Sequence, residues 1–369
     1  MRGSHKVCAR TSIASRATDV VTQESRRFIQ MGNTAGTEDV AVCKTRTRVG
    51  VVIVNWNAGA LLERCIESLA RQTFKPHRII IVDNASSDRS ADIVDKLYAN
   101  VQVVRLETNV GFAAGNNIGV GHAADCKWIA LLNPDAFAEP RWLEQLLFMA
   151  SEHPEYAFFG SRMLVESNTN ILDGTGDVYH VSGLAWRNGH GQLADHRNLE
   201  AVEIFTPCAA AALYRRDVLL ETGGFDKIYF CYFEDVDLGF RLRLAGYRCL
   251  YVPDAVVHHV GSALTGRNTD FTVYHGHRNL VWSYFKNMPW PLLGLYLPQH
   301  ILLNLVSLIW LTLRGHGRVI VKAKWDALKG LPRVLQERKI VQATRKVSAW
   351  ELRRMMAKGL LTPYFRRHV

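Results

Sequence analysis

Apolar runs and helical stretches alternate along the chain from residue 48 to about residue 153. Three short runs rich in Val and Ile, residues 49–54, 79–82 and 128–132, have the length of buried strands. Helical spacing of apolar residues marks four other stretches, namely residues 61–71, 90–98, 112–122 and 141–151. Strands that alternate with helices in this way predict a doubly wound α/β sheet.

A polar loop follows each of the three predicted strands. These loops read Asn55-Trp56-Asn57, Asp83-Asn84-Ala85-Ser86-Ser87-Asp88 and Asn133-Pro134-Asp135. In an open α/β sheet, ligands bind outside the carboxyl ends of the strands, so the pattern predicts one acidic crevice that the loops share. The loops also have a structural interpretation, because Asp88 fits the N-cap of the helix at Ser90 and Asp135 fits a cap of the helix that follows it.

An acidic run at residues 233–241 follows a strand-like stretch and opens a helix-like one. Its carboxylates Glu234, Asp235 and Asp237 stand beside aromatic residues, and such groups are rarely buried without a partner. About twenty residues later, alternation along a predicted strand at residues 251–260 places His258 and His259 on opposite faces, so only one of them can face a site. A divalent cation that bridges a diphosphate takes carboxylate oxygen and sometimes imidazole nitrogen.

A Gly- and Asn-rich loop at residues 109–117 opens the third predicted helix. Backbone N–H groups at a helix start can face phosphate. The loop is not a GxGxxG motif, however, and a strand-to-helix turn with an Asn cap explains the same residues. Both interpretations stay open at the level of sequence.

Residues 158–206 are rich in Gly, Asn, Asp and His and predict strands and loops that cover one side of the crevice. A small-residue strand and a short helix follow over residues 207–220, and Gly223-Gly224-Phe225-Asp226 reads as a turn. The predicted organisation is therefore a nucleotide-binding half at residues 48–153 and an acceptor and catalytic half at residues 154–288.

The net positive charge of the chain comes from its C-terminal part. The net charge is +11, and the stretch from Arg314 to the end carries 15 Lys and Arg against three Asp and Glu. The segment before it, residues 290–313, is almost apolar enough for a membrane span but contains Pro298 and several polar residues. Apolar and basic residues then mix at helical spacing, as in helices that lie on an anionic membrane. The alternative is a helical domain with a solvated basic face.

Other features narrow the class of protein. Nucleic-acid binding is not expected, because no reader motif accompanies the basic tail. The seven cysteines are scattered without a CxxC pair, which indicates a reduced compartment and no zinc site. Residues 1–47 are polar and without period, so they predict a disordered arm rather than a signal peptide.

Taken together, the motifs resemble those of family 2 glycosyltransferases with the GT-A fold, and most of all the rhamnosyltransferase-like and galactofuranosyltransferase-like branch. The resemblance covers residues 49–290 and rests on six motifs in the family's order. They are Asn55-Trp56-Asn57, Val82-Asp83-Asn84-Ala85-Ser86-Ser87-Asp88, the loop at residues 109–117, Leu132-Asn133-Pro134-Asp135, Gly223-Gly224-Phe225-Asp226 and Phe233-Glu234-Asp235-Val236-Asp237. The implied fold is a GT-A mixed sheet of the doubly wound α/β class, followed over residues 289–369 by a hydrophobic, then basic, helical tail.

The resemblance also implies a role for individual residues. Asp235 would be the catalytic base, with Glu234 and Asp237 positioning the acceptor or the base. Asp135 and His259 would hold a divalent metal, Mg²⁺ or Mn²⁺, on the donor's diphosphate. The nucleotide and its sugar would be bound by a set of polar and small residues, Asn55, Asn57, Asp83, Asn84, Asn109, Gly111, Asn116 and Asn133. Asn133 replaces the first acid of the family's Asp-x-Asp motif, so a second carboxylate contact from that motif is in doubt.

The implied function is inverting, metal-dependent transfer of a sugar, with rhamnose as the candidate, from a nucleotide-diphospho-sugar to a glycan or polyprenyl-linked acceptor of cell-surface polysaccharide. The tail would hold the enzyme at the inner face of the plasma membrane. Two other functions stay open. A nucleotidyltransferase would normally carry a cationic Gly-rich loop after its first strand, where this chain reads Asn55-Trp56-Asn57-Ala58-Gly59. A non-catalytic, membrane-associated GT-A scaffold would have no need of Asp135 and Asp235.

Overall fold

Four parallel strands form one half of a mixed sheet in a computed structural model that describes residues 47–98, 100–195, 199–261, 266 and 269–364. Strand β1 (Val49–Asn55) lies between β2 (Arg78–Asp83) and β4 (Trp128–Leu132), and β3 (Val101–Arg105) pairs with the other side of β2. Every residue of β1 and β4 is buried, which is why their sequences are continuous apolar runs. The predicted arm at residues 1–47 lies outside the described residues, apart from Thr47.

Helices α1 (Ala60–Ala70), α2 (Ser90–Leu97) and α3 (Gly111–His122) connect these strands, and α4 (Trp142–Glu152) follows them. Each begins and ends within one residue of its predicted bounds. Helix α3 lies unusually close to β1, since a Cβ atom on Gly119 would stand 2.3 Å from Val52 Cγ1. This close approach brings the start of α3 to the carboxyl end of the sheet.

The second half of the sheet contains antiparallel pairs. Its strands are β5 (Ala136–Ala138), β6 (Tyr156–Val165), β7 (Asn168–Gly174), β10 (Glu203–Ile204), β11 (Ala211–Arg215) and β12 (Arg248–His259). The strand order along the sheet is β10-β12-β6-β11-β4-β1-β2-β3, with β5 paired to β12 and β7 to β6. A separate two-stranded ribbon, β8 (Asp177–Tyr179) with β9 (Ala185–Arg187), belongs to the Gly- and Asp-rich stretch. The predicted mixed, doubly wound sheet is confirmed.

Helices α5 (Arg216–Glu221) and α6 (Glu234–Leu244) belong to this second half and are followed by four more helices. These are α7 (Asp270–Asn287), α8 (Trp290–Leu311), α9 (Gly317–Ala343) and α10 (Ala349–Met355). A bend at residues 312–316, where Gly315 has φ +91°, separates α8 from α9. Leu292 and Tyr296 of α8 share an apolar cluster with Tyr284 of α7 and Phe240 of α6. The helices therefore dock on the sheet domain, and the division at residues 288/289 stays a prediction.

Candidate functional site

A cavity of about 630 Å³ opens beyond the carboxyl ends of the parallel strands, where the sequence predicts a crevice. Its volume suits a small-molecule ligand. Eight of the predicted site residues line it: Asn84, Asn109, Gly111, Asn133, Asp135, Glu234, Asp235 and His259. Five others do not line it: Asn55, Asn57, Asp83, Asn116 and Asp237.

The loop at the start of α3 is fastened by its own asparagines. The amide of Asn84 donates to Asn109 Oδ1 (2.8 Å) and accepts from the backbone N–H of Val110 (2.8 Å). Asn109 Oδ1 also accepts from the N–H of Gly111 (2.9 Å), and the N–H of Ala113 donates to the carbonyl of Phe230. Because these N–H groups have acceptors within the protein, the structure favours the turn interpretation over a phosphate cradle.

Asn55, Asn57 and Asn116 support the loops and do not line the cavity, and their contact with the nucleotide stays a prediction. The buried Asn55 amide donates to Asp83 Oδ1 (3.1 Å) and so joins the ends of β1 and β2. Asn57 Oδ1 accepts from the backbone N–H of Ser87 (2.7 Å), and Asn116 donates within α3. Asp83 ends β2 half-buried beside them, and its contact with a nucleotide base stays a prediction.

Asp135 and His259 meet where β5 pairs with the end of β12. Ala136 lies opposite His259 in the register, and the N–H of Val260 donates to the carbonyl of Asp135. His259 Nε2 lies 3.3 Å from Asp135 Oδ1, outside hydrogen-bond geometry, so this buried nitrogen has no hydrogen-bond partner within the part of the chain that the structure describes. His258 points the other way, towards Glu139. The predicted alternation of the two histidines is confirmed.

These two side chains fit a divalent cation that takes its other ligands from a diphosphate and water. Carboxylate oxygen and imidazole nitrogen are ligands that a divalent cation takes, and a buried Nε2 next to a carboxylate fits such a cation. Asn133 Oδ1, which is buried and has no partner among the described residues, lies in the same wall. Within the described residues no cluster of three or more His, Cys, Asp or Glu forms a complete metal cage.

Asp235 begins the acidic wall of the cavity at the start of α6. Its Oδ1 accepts from the backbone N–H of Val236 (2.8 Å) and its Oδ2 from that of Ala209 (3.2 Å). Burial raises the pKa of Asp235, while these N–H groups and the charge of Arg187 oppose the rise. The bonds to N–H groups stabilise the ionised form of this carboxyl.

A second carboxyl, Asp177 of β8, lies buried in the same wall. Burial and the charge of Asp235 together raise its pKa. When two carboxyls interact this closely, the one whose ionised form receives more hydrogen bonds loses its proton first. The hydrogen bonds therefore favour ionisation of Asp235 over that of Asp177. Burial also raises the pKa of Glu234 well above its ordinary value.

Asp237 does not line the cavity that Asp235 faces, and its role in positioning the acceptor or the base stays a prediction. Two residues along an α-helix correspond to a rotation of about 200°, so the two side chains leave α6 on opposite sides. Asp237 is fully buried and accepts from Tyr229 Oη (3.0 Å) and Arg241 Nε (2.8 Å), with Lys286 Nζ at 3.1 Å. Although burial opposes ionisation, Arg241 and Lys286 hold the pKa of Asp237 below its ordinary value. Its contacts are those of a core ion pair.

A strained aromatic turn, and not the predicted strand, leads into the acidic run. Phe230, Tyr232 and Phe233 all have positive φ, between 65° and 69°, which is unusual for bulky residues. The buried amide of Asn279 on α7 donates to the carbonyls of residues 229, 231 and 232 and so holds the turn. Strain of this kind persists where the surroundings enforce it, and it clusters at functional sites.

Sequence reasoning missed Asp173, Asp177 and Arg187, all from the irregular stretch before residue 206. Asp177 and Arg187 are paired across the β8–β9 ribbon, and both line the cavity. The dense acidic and glycine cluster Asp173-Gly174-Thr175-Gly176-Asp177 was the available signal. The direction in which these side chains point could not be predicted, because it depends on which short strands pair.

The site and fold can be compared with known proteins. A family model described as glycosyl transferase family 2 matches residues 50–223. N-acetylglucosaminyl-diphospho-decaprenol L-rhamnosyltransferase of Mycobacterium tuberculosis is 29% identical over 239 residues, which are 59% of this chain and 78% of that protein. An uncharacterized glycosyltransferase of Bacillus subtilis, YwdF, is 33% identical over 217 residues, covering 57% of this chain and 73% of that protein.

Among solved structures, GalNAc-T7 with UDP, GalNAc and Mn²⁺ superposes with a TM-score of 0.54 at 19% identity. The superposition covers 65% of this chain and 48% of that one, so this chain spans about half of GalNAc-T7. At this identity the similarity shows a shared fold.

Proposed function

The chain belongs to glycosyltransferase family 2, and from this membership we propose that it moves a sugar from a nucleotide-diphospho-sugar to a lipid-linked glycan, with inversion and with the help of a divalent metal. Rhamnose is the first candidate for the sugar, because the Mycobacterium tuberculosis relative is named as a rhamnosyltransferase. The observation that carries the proposal is the convergence of Asp135, His259 and Asp235 on one cavity, although a hundred residues separate the first from the last.

Asp135 and His259 would hold Mg²⁺ or Mn²⁺ at the diphosphate end of the cavity. Such a metal neutralises negative charge on a diphosphate leaving group as a Lewis acid. The protein's own part is to keep the two ligands close together in a buried wall, with His259 2% exposed and Asp135 4% exposed. Asn133 Oδ1, which has no partner among the residues that the structure describes, is available to a hydroxyl of the donor.

Asp235 would take the proton from the acceptor hydroxyl as that oxygen attacks the anomeric carbon. Backbone N–H groups hold both carboxylate oxygens in place and favour the ionised form of Asp235, whereas burial and the charge of Asp235 raise the pKa of Asp177. One base without an enzymic nucleophile implies a single displacement, and a single displacement inverts the configuration at the anomeric carbon.

The rate is expected to depend on pH through Asp235. Since burial raises the pKa of this carboxyl, it holds its proton to a higher pH than a carboxyl in water, and a protonated base cannot accept another proton. The kcat should therefore rise as pH increases through the raised pKa. A kcat profile at saturating donor and acceptor measures this, and a rate that rises only over the ordinary pH range of a carboxyl in water would contradict the assignment.

An incubation with donor alone tests the reaction class. With Mn²⁺ and each of UDP-, dTDP- and GDP-sugars, slow hydrolysis should release the nucleoside diphosphate, and chelation of the metal should stop it. In a parallel incubation with a nucleoside triphosphate and a sugar 1-phosphate, release of pyrophosphate would indicate a nucleotidyltransferase. No release or transfer with any donor would leave the non-catalytic scaffold. The donor that binds is identified by protection against thermal unfolding, because a ligand at about 100 times its Kd adds about 2.7 kcal/mol of stability.

The acceptor side of the proposal rests on the surface of α8 and α9. The helical stretch Trp290–Ala343 is long and apolar enough to cross a membrane, and only 28% of its most apolar window is buried. Its exposed apolar residues near the bend are Leu305, Ile309, Trp310, Leu313 and Val321. Arg314, Arg318 and Lys322 are interspersed with them. An apolar face bordered by cations fits a helical hairpin that lies in the interface of an anionic membrane, on the cytoplasmic side.

The bend between α8 and α9 adjoins the mouth of the cavity. His316 Nδ1 lies 2.9 Å from Oδ1 of Asp270, the first residue of α7, and the next residue, Phe271, lines the cavity. One turn further on, Val273 packs with Leu311 and Ile320 from the two sides of the bend. A membrane that meets the bend would therefore lie beside the cavity, which favours an acceptor whose lipid stays in the bilayer.

Substitutions at the bend should weaken membrane binding. The double variant Trp310→Ser/Leu313→Ser removes two exposed apolar side chains and should bind vesicles of phosphatidylcholine and phosphatidylglycerol at least tenfold more weakly, since burial of each is worth about 1.5–3 kcal/mol. Arg314→Gln and Arg318→Gln should each cost about fivefold, or about 1 kcal/mol, and only on anionic vesicles. Cosedimentation measures both effects.

The matched control is Ile93→Ser/Leu97→Ser, which removes two exposed apolar residues from α2. It should leave vesicle binding unchanged. Equal binding by all variants, or an equal loss in the control, would argue against the hairpin as the membrane contact. Substitutions are preferable to deletion of the tail, because α8 shares the core around Tyr284.

A further inference from the structure

Behind the candidate metal ligands lies a buried chain of polar contacts that the proposed mechanism does not use. Asp173, at the end of β7, is 2% exposed. Its Oδ2 lies 2.7 Å from His259 Nδ1 and also accepts from Arg187 Nη1. His190 Nδ1 lies 2.9 Å from the backbone carbonyl of Asp173. The contacts thus run in the order Arg187, Asp173, His259, Asp135.

The position of Arg187 settles the direction of the hydrogen bond to His259. A carboxylate paired with a guanidinium is an acceptor and not a donor. The proton between Asp173 and His259 must therefore sit on Nδ1 of the imidazole. With Nδ1 engaged in this way, Nε2 is the nitrogen that faces Asp135, and none of the described residues gives it a hydrogen-bond partner.

We propose that Asp173 is a positioning residue, which sets the tautomer and the ring orientation of His259 so that Nε2 is presented together with Asp135 to a divalent cation. Carboxylates commonly hold the far ring nitrogen of a metal-binding histidine in this manner. Arg187 keeps Asp173 in place from the other side. This inference rests on the proposed function, because it assumes that the cation binds between Asp135 and His259.

The alternative is that Asp173 merely joins β7 to β9 through Arg187. The two bonds of Asp173 can be separated by substitution. Asp173→Ala removes the acceptor of His259, Asp173→Asn keeps an oxygen that can accept, and Arg187→Gln removes the ion pair but leaves the bond to His259. Asp254→Asn, an exposed acid on β12, is the control.

Mn²⁺ affinity is measured by electron paramagnetic resonance, with the metal alone and with each of UDP, dTDP and GDP. Asp173→Ala should bind Mn²⁺ about 10–100-fold more weakly, as is usual when such a supporting carboxylate is lost. Asp173→Asn should fall between this variant and the wild type, and Arg187→Gln should lose less than Asp173→Ala. Asp254→Asn should bind as the wild type does.

The tautomer is read separately, without metal, from the ¹⁵N shifts of histidine-labelled protein, with His259→Gln to assign the signal. We expect the proton on Nδ1 of His259 in the wild type, and a changed ratio of the Nδ1–H and Nε2–H tautomers in Asp173→Ala. Normal Mn²⁺ affinity in a folded Asp173→Ala variant, while Asp135→Asn and His259→Gln bind weakly, would overturn the role of Asp173 alone. A wild-type protein that binds no Mn²⁺ under any of these conditions would overturn the metal in the proposed function as well.

Discussion

Asp235→Asn is expected to lower kcat by about 10²-fold or more, because an amide cannot accept the proton of the acceptor hydroxyl. The substitution preserves the volume of the side chain and one oxygen that can accept from Ala209 or Val236, so the start of α6 should keep its shape. Donor affinity, measured by protection against thermal unfolding, should change little. Steady-state kinetics with a lipid-linked acceptor measure the fall in kcat.

Asp177→Asn provides the comparison for this result. Burial and the charge of Asp235 raise the pKa of Asp177 to about 8, so below that pH an amide there replaces one neutral group by another. The loss of kcat should be clearly smaller than that of Asp235→Asn, and the pH at which kcat rises should change little, because Asp177 carries no charge while Asp235 loses its proton. Near-normal turnover of Asp235→Asn, or a larger loss in Asp177→Asn, would reassign the base.

Asp237→Ala is expected to lower the free energy of unfolding by about 3–5 kcal/mol, because it leaves the buried Arg241 without its carboxylate and removes one of the carboxylates of Lys286, which keeps Asp226 at 2.6 Å. Much of a typical domain's stability would be lost. Denaturant unfolding measures the effect, and any protein that stays folded should retain most of its kcat. Substitution of Asp237 should therefore change the stability of the protein, whereas substitution of Asp235, two residues earlier, should change the rate of the chemical step.

Asp254→Ala is the matched control for Asp237→Ala, as an exposed acid whose loss should change stability by no more than about 0.5 kcal/mol. If Asp237→Ala were as stable as the wild type and selectively inactive, Asp237 would return to the catalytic site where the sequence first placed it. A variant destabilised as expected would confirm the ion-pair role.

The sequence predicts the sheet and the position of the crevice well, for a physical reason. Fully buried parallel strands such as β1 need continuous apolar runs, and their carboxyl ends must share one edge of the sheet. Asp135 and Asp235 could therefore be assigned to one site although they are far apart in the chain. The choice of His259 over His258 followed from strand alternation and the resemblance to the family.

The remaining site residues could not be predicted, because the direction in which each side chain points depends on contacts between distant segments. Asp177 and Arg187 face the cavity only because two three-residue strands pair with each other. Asp173 reaches His259 across 86 positions of the chain. The position of Asp237 away from the cavity is a different case. Helical geometry alone separates this side chain from Asp235 and would have been sufficient to predict its position.

Helix α7 connects the strained aromatic turn to the bend between α8 and α9. Its first residue contacts the bend through His316, and Asn279, nine residues or about 14 Å further along, clamps the turn that leads to Asp235. If the bend rests on the bilayer, this helix sets the height of the base above the lipid headgroups. The distance between the base and the membrane would then be fixed. The enzyme would select acceptors by the number of sugars that separate the lipid from the hydroxyl that reacts.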